Sequence, residues 1–222
     1  MLETIKNAWK VKEIRNKILF TLFIILIFRI GSAIPVPFID YTALKNSTTT
    51  NDFFSYLSIL TGGGLEYGAI FAMSVTPYIN SSIIIQLLAV AIPALERLSK
   101  EGEEGQKKLA QITRYATVIL ALIQGIAYFF YLKGSHYLRV SGGTGWYIFA
   151  AFVIVLAFTA GSALVMWLGE QIDTKGIGNG ISILLFAGIL SRGPAAFVTL
   201  VRSWKAGHQL GAVAIVLVFL VI

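Results

Sequence analysis

The chain has 222 residues, of which 56% are hydrophobic and 13% charged, with a formal net charge of +7 and a mean hydropathy of +0.77. Soluble domains carry about 25% charged residues, so this balance excludes them and places the chain in the membrane class. With no cysteine, disulfides and thiolate metal sites are excluded, and His136 and His208 lie far apart in predicted loops, so neither a metal nor a cofactor is expected.

A helix needs about 20 apolar residues to cross a hydrocarbon core. Runs of that kind predict an all-α polytopic membrane protein with spans at 18–34, 67–92, 115–132, 146–168 and, shorter, 177–191. A sixth run, 210–222, is too short to cross and has no basic or aromatic residue closing it, so the chain reads as a portion of a longer polypeptide. Short loops rich in Lys and Arg stay cytoplasmic. Lys6, Lys10, Lys12, Arg15 and Lys17, then Arg97, Lys100, Lys107, Lys108 and Arg114, then Lys175 outnumber Lys45, Lys133, Arg139, Arg192, Arg202 and Lys205 on the other face, which predicts a cytoplasmic N-terminus. Cations divided between two faces do not make a nucleic-acid surface. The basic start resembles a signal peptide, but Arg29 interrupts its apolar run and no A-x-A site follows.

Two regions depart from plain spans. In the first, Phe53 to Leu60 form an apolar stretch of about two helical turns, broken by Gly62, Gly63 and Gly64. It suits either a re-entrant half-helix shielded by protein or an amphipathic helix lying on the outer surface. The second is the run 67–92, which carries Ser74, Thr76, Pro77, Tyr78, Asn80, Ser81, Ser82 and Gln86 where a lipid-facing helix would carry aliphatics. Hydrocarbon offers no hydrogen-bond partners, so such groups face protein or water, and a proline within the helix frees a carbonyl that also needs a partner. Val75 and Ile79 share a helix face, as do Ile181 and Leu185. Each pair fits ordinary packing or an apolar constriction that stops ions by dewetting. Asn80 and Gln124 are amides able to hydrogen-bond between spans, in a static or a breakable contact. The loop PALERLSKEGEEGQKKLAQITR reads as a solvated hairpin turning at Gly102 and Gly105, and GEQIDTKGIGNG as a tight reverse turn.

Enzymatic activity is not expected. Asp40, Asp52 and Asp173 all fall in loops, no span holds a histidine, and no phosphate-binding loop is present. A secondary transporter half is the alternative, yet Arg29 is the only charge well inside a span.

Four stretches in matching order, FRIGSAIPVPFID, GGGLEYGAIFAMSVTPYINSSIIIQLL, KEGEEGQKKLAQITRY and WLGEQIDTKGIGNGISILLFAGI, resemble the SecY family of protein-conducting channels. The resemblance implies a ten-helix channel of two inverted halves, of which this chain supplies the first. The implied organisation is a cytoplasmic segment 1–17, a half-channel 18–191, and an outer loop with a partial sixth span 192–222. Asp52, Phe53, Phe54, Ser55, Tyr56, Leu57, Ser58, Ile59, Leu60, Thr61, Gly62, Gly63 and Gly64 would form the plug that closes the outer funnel. Val75, Ile79, Ile181 and Leu185 would supply this half's share of the pore ring, and Asn80 and Gln124 would lie at the lateral gate. The implied setting is the bacterial cytoplasmic membrane. Implied partners are the C-terminal half of the channel, SecE, SecG, the SecA motor, the ribosome, signal sequences and the translocating polypeptide. Val75 and Leu185 stand where isoleucine is common, which keeps a seal apolar but changes its tightness.

Overall fold

The computed structural model describes residues 11–50, 61–140, 142–194 and 197–198. The sixth predicted run, 210–222, and plug residues 52–60 lie outside the described residues. In chain order the helices are α1 (Lys12–Gly31), α2 (Tyr41–Thr50), α3 (Thr76–Ala91), α4 (Pro93–Lys100), α5 (Glu103–Gly134), α6 (Thr144–Lys175) and α7 (Gly180–Leu190). Among the described residues there is no strand, only the isolated antiparallel bridges Pro35–Ala69 and Ile39–Leu138.

α5 and α6, each of 32 residues, are long and apolar enough to cross a membrane. Both exceed the predicted runs 115–132 and 146–168 because their charged ends continue the helix past the apolar stretch. At the start of α5, Glu103 pairs with Lys107 one turn on. Gly105 is therefore no turn residue. It sits buried within α5, and the turn falls on Gly102, whose φ is 77°.

The run 67–92 is not one helix. From Thr61 to Val75 the chain is a series of turns, with Gly62, Gly63, Gly68 and the non-glycine Ser74 all at positive φ. The left-handed region costs little for glycine and is uncommon for serine. Pro77 then falls in the first turn of α3, where its missing N–H is one of those with no intrahelical partner anyway. The carbonyl that a mid-helix proline would have freed is thus never created. α3 ends at Ala91, and α4 leaves at 102° to it, with Pro93 starting the new helix. If the bent pair counts as one span, up to three are long and apolar enough to cross.

The bundle is built on α6, which packs with α5, α7 and α1, while α5 also packs along α3. Thr113, Thr117, Ala121 and Gly125 of α5 are buried. Small residues of this kind let helix backbones approach closely where no hydrophobic drive separates helix from lipid. The hydroxyls are satisfied within the protein: Thr117 donates to the Thr113 carbonyl (2.7 Å), and Ser81 of α3 donates across the interface to the same carbonyl (3.0 Å).

At the end where α5 stops and α6 begins, Asp40 caps α2. Its Oδ1 accepts from the Thr42 hydroxyl and from the N–H groups of Thr42 and Ala43, while Oδ2 accepts from Arg139 Nε at 2.9 Å. The Thr42 hydroxyl first, and then Arg139, hold this carboxyl well below the usual carboxylate range. A lowered pKa contributes stability above the unfolded value that is lost only as pH falls below it. The Ala43 amide is therefore expected to keep its protection from hydrogen exchange between about pH 8 and pH 5, after correction for intrinsic rates, and to lose it in Asp40→Ala, which has no side-chain acceptor. Equal protection in the variant would dismiss the cap.

Candidate functional site

Two apolar clusters fill the bundle. One joins Val36, Ile39, Leu44, Leu65, Ala72, Met73, Phe129, Leu132, Ile154 and Phe158 near the α5–α6 loop. The other joins Ile24 and Phe28 of α1, Phe71 and Val75, Val165, Leu168 and Ile172 of α6, and Leu184 of α7. Phe28 and Phe71 stack with ring centroids 6.0 Å apart.

The four aliphatic positions singled out from the sequence meet at this second cluster. Val75 is part of it, at 2% exposure, and Ile79, Ile181 and Leu185 pack against it while remaining half-buried. Val75 is the N-cap of α3, which carries Ile79, and α7 carries Ile181 and Leu185; α3 packs chiefly along α5 and α7 along α6, and the two do not pack along one another. The second cluster thus joins residues of both helices without a seam between them.

α7 is fixed at its start by polar contacts. Asn179 caps it by accepting from the Ser182 N–H (3.0 Å), Asp173 accepts from the Gly180 N–H (2.7 Å), and Thr21 Oγ1 of α1 accepts from the Ile177 N–H (3.2 Å). Gly176 and Gly180 permit this close turn, since a Cβ on Gly180 would overlap the Gly169 carbonyl. Nearby, Arg114 Nε donates to Glu170 Oε1 at 2.6 Å, tying α5 to α6.

Of the predicted plug, Thr61, Gly62, Gly63 and Gly64 are described, and all four are buried. Gly62 and Gly63 adopt φ of 64° and 91°. The turn lies on the end of α7: a Cβ on Gly62 would come within 2.9 Å of Gly188 Cα, and one on Gly63 within 3.0 Å of Arg192 Nη2. Arg29 Nη1 donates to the Gly62 carbonyl (2.7 Å), and Arg192 Nη2 donates to Glu66 Oε2 (2.5 Å). Ser191 Oγ donates to the Gly188 carbonyl (2.6 Å) and more distantly to that of Gly62 (3.5 Å). Sequence reading did not foresee these contacts, although a lone charge in a span and a glutamate beside three glycines are signals that pointed to them.

Asn80 is exposed on α3 and Gln124 half-buried on α5, and no hydrogen bond joins the two. Among the described residues no group of three His, Asp or Glu could hold a metal ion.

Apolar helices long enough to cross a bilayer, interrupted by buried irregular chain, define a polytopic helical membrane protein. The SecY family model matches residues 69–222. The protein translocase subunit SecY of Bacillus subtilis (strain 168) is 46% identical over 197 residues, covering 87% of this chain and 44% of that protein. The corresponding subunit of Staphylococcus aureus (strain NCTC 8325) is 42% identical over 214 residues, covering 94% and 48%. The fold is similar to two solved structures, each at 18% identity, a TM-score of 0.62 and coverage of 87% of this chain and 42% of theirs: "The structure of a protein conducting channel" and "Sec61 in the Canine ribosome-channel complex from the endoplasmic reticulum". The chain belongs to the SecY family. It spans a little under half the length of the curated relatives it matches.

Proposed function

We propose that this chain forms the N-terminal half of the pore-forming subunit of a general secretory translocon. It has no enzymatic activity, and with an inverted C-terminal half it completes a ten-helix channel in the bacterial cytoplasmic membrane. Its N-terminus, residues 1–17, faces the cytoplasm, 18–191 is the half-channel, and 192–222 leads into the next span. Unfolded preproteins pass through it and membrane helices leave it sideways past Asn80 and Gln124. SecE, SecG, the SecA motor and the ribosome are its partners at the complete channel.

The observation that carries this reading is the meeting of Val75, at the N-cap of α3, Ile79 of α3, and Ile181 and Leu185 of α7 at one apolar cluster, although α3 and α7 do not pack along each other. A pore that passes chains of any sequence cannot recognise particular side chains. It needs a compliant ring of branched aliphatics that stays dry, and so closed to ions, when empty. The left-handed backbone of Gly62 and Gly63 in the buried turn at 61–64 supports a joint on which a plug of residues 52–64 would move. The relatives are translocase subunits and the structural neighbours are protein-conducting channels, so nothing favours a transporter half.

Single cysteines replacing Ile79 or Ile181 in the full-length channel are expected to crosslink to a translocation intermediate arrested midway. Reaction confined to lipid-borne probes would remove the pore assignment.

A further inference from the structure

We infer that Arg29 and the Glu66–Arg192 ion pair form a two-part clasp that positions the glycine turn, and with it the resting state of the plug; this rests on the plug reading above. The turn at Gly62 and Gly63 has left-handed backbone and is closed from within by two long bonds, Gly64 N–H to the Thr61 carbonyl at 3.3 Å and Leu65 N–H to Thr61 Oγ1 at 3.4 Å, so shorter holds from outside weigh most in placing it. The structure supplies two holds from opposite sides. From α1, Arg29 donates to the Gly62 carbonyl at 2.7 Å. Beyond the end of α7, Arg192 lies against Gly63 and donates to Glu66, just past the turn. The side chains of Arg192 and Glu66 are only 27% and 14% exposed, so their attraction is less screened than that of the surface pairs of α4 and α5. Gly62 meanwhile sits on the backbone of Gly188, so an outward swing of the turn leaves α7 and breaks the Arg29 hold, while the Arg192–Glu66 pair restrains the chain just past it.

A hold made of one charged pair and one charge-assisted bond is a few directional contacts that can be broken and remade, as a stopper that opens for each substrate requires. Arg29, Glu66 and Arg192 are thus positioning residues: they act through the turn and set how readily it lets go.

The test uses the full-length channel in planar bilayers. Glu66→Gln and Arg192→Gln are each expected to make resting openings about tenfold more frequent, a shift of about 1.4 kcal/mol. The charge swap Glu66→Arg with Arg192→Glu is expected to restore the resting level, as Arg29→Lys should where Arg29→Gln does not. For variants that fail to assemble, Glu66→Cys and Arg192→Cys joined by a short thiol-cleavable linker should suppress opening until reduced. Openings unchanged in both charge variants, a swap that restores nothing, or a linked channel that opens freely would each overturn the clasp. Deletion of residues 53–61 is measured alongside. A silent deletion removes the plug reading and the clasp with it, whereas a leaky deletion beside silent charge variants removes the clasp alone.

Discussion

Gly161→Val is expected to destabilise the full-length channel by about 3 kcal/mol or more, at or beyond the upper end for overpacked cores. Gly161 lies in α6 against the irregular segment, where a Cβ would overlap the Ile70 carbonyl. That carbonyl has little room to withdraw. The Ile70 N–H is tied to the Ile34 carbonyl at 3.0 Å, the adjoining Ala69 bridges to Pro35, and Val36 donates to the Gly68 carbonyl at 2.9 Å. The damage would therefore spread into both apolar clusters, since Ile70 packs against each. Thermal unfolding in detergent and limited proteolysis provide the measurement, with Gly145→Ala as control, because a Cβ there meets nothing within 4 Å. A valine variant as stable as the control would show that α6 does not rest on this segment.

The second large effect is expected at the aliphatic positions. Asparagine at both Ile79 and Ile181 should raise the resting ion conductance of the full-length channel about tenfold or more, because amides hold water where branched aliphatics exclude it. Leucine at the same two positions should leave conductance near its original level, since volume and polarity change little. Ile79 and Ile181 are half-buried, so the amides can be solvated and the helices should still assemble. Bilayer recordings without substrate decide the matter: conductance that ignores the asparagines would mean that these side chains line no ion barrier.

The spans α5 and α6 were legible in the sequence because apolar length is the dominant signal for crossing a bilayer, and their extended ends were missed because a helix outside hydrocarbon needs no apolar residues. The segment from Thr61 to Val75 was not legible. Its residues AIFAMSV are as apolar as a helix, and only burial of the surrounding chain permits turns there. Composition cannot report that burial. Pro77 was ambiguous for the same reason, since proline fits both a kink and a first turn, and the boundary at Thr76 decides which. At the candidate site, helical spacing paired Val75 with Ile79 and Ile181 with Leu185, and only the family resemblance grouped the four, whereas the contacts of Arg29, Glu66 and Arg192 were not legible because they arise only through the tertiary fold. The SecY family resemblance was legible in four motifs, and the family model and the relatives bear it out.

The 102° angle between α3 and α4 has a mechanical corollary. Thrust travels down a rod only when the load is collinear with it, and here a load on α4 meets α3 almost side-on, through the single extended residue Ile92. Such a joint works as a crank: a docking partner pressing on the short helix would lever the longer one sideways instead of driving it along its own axis.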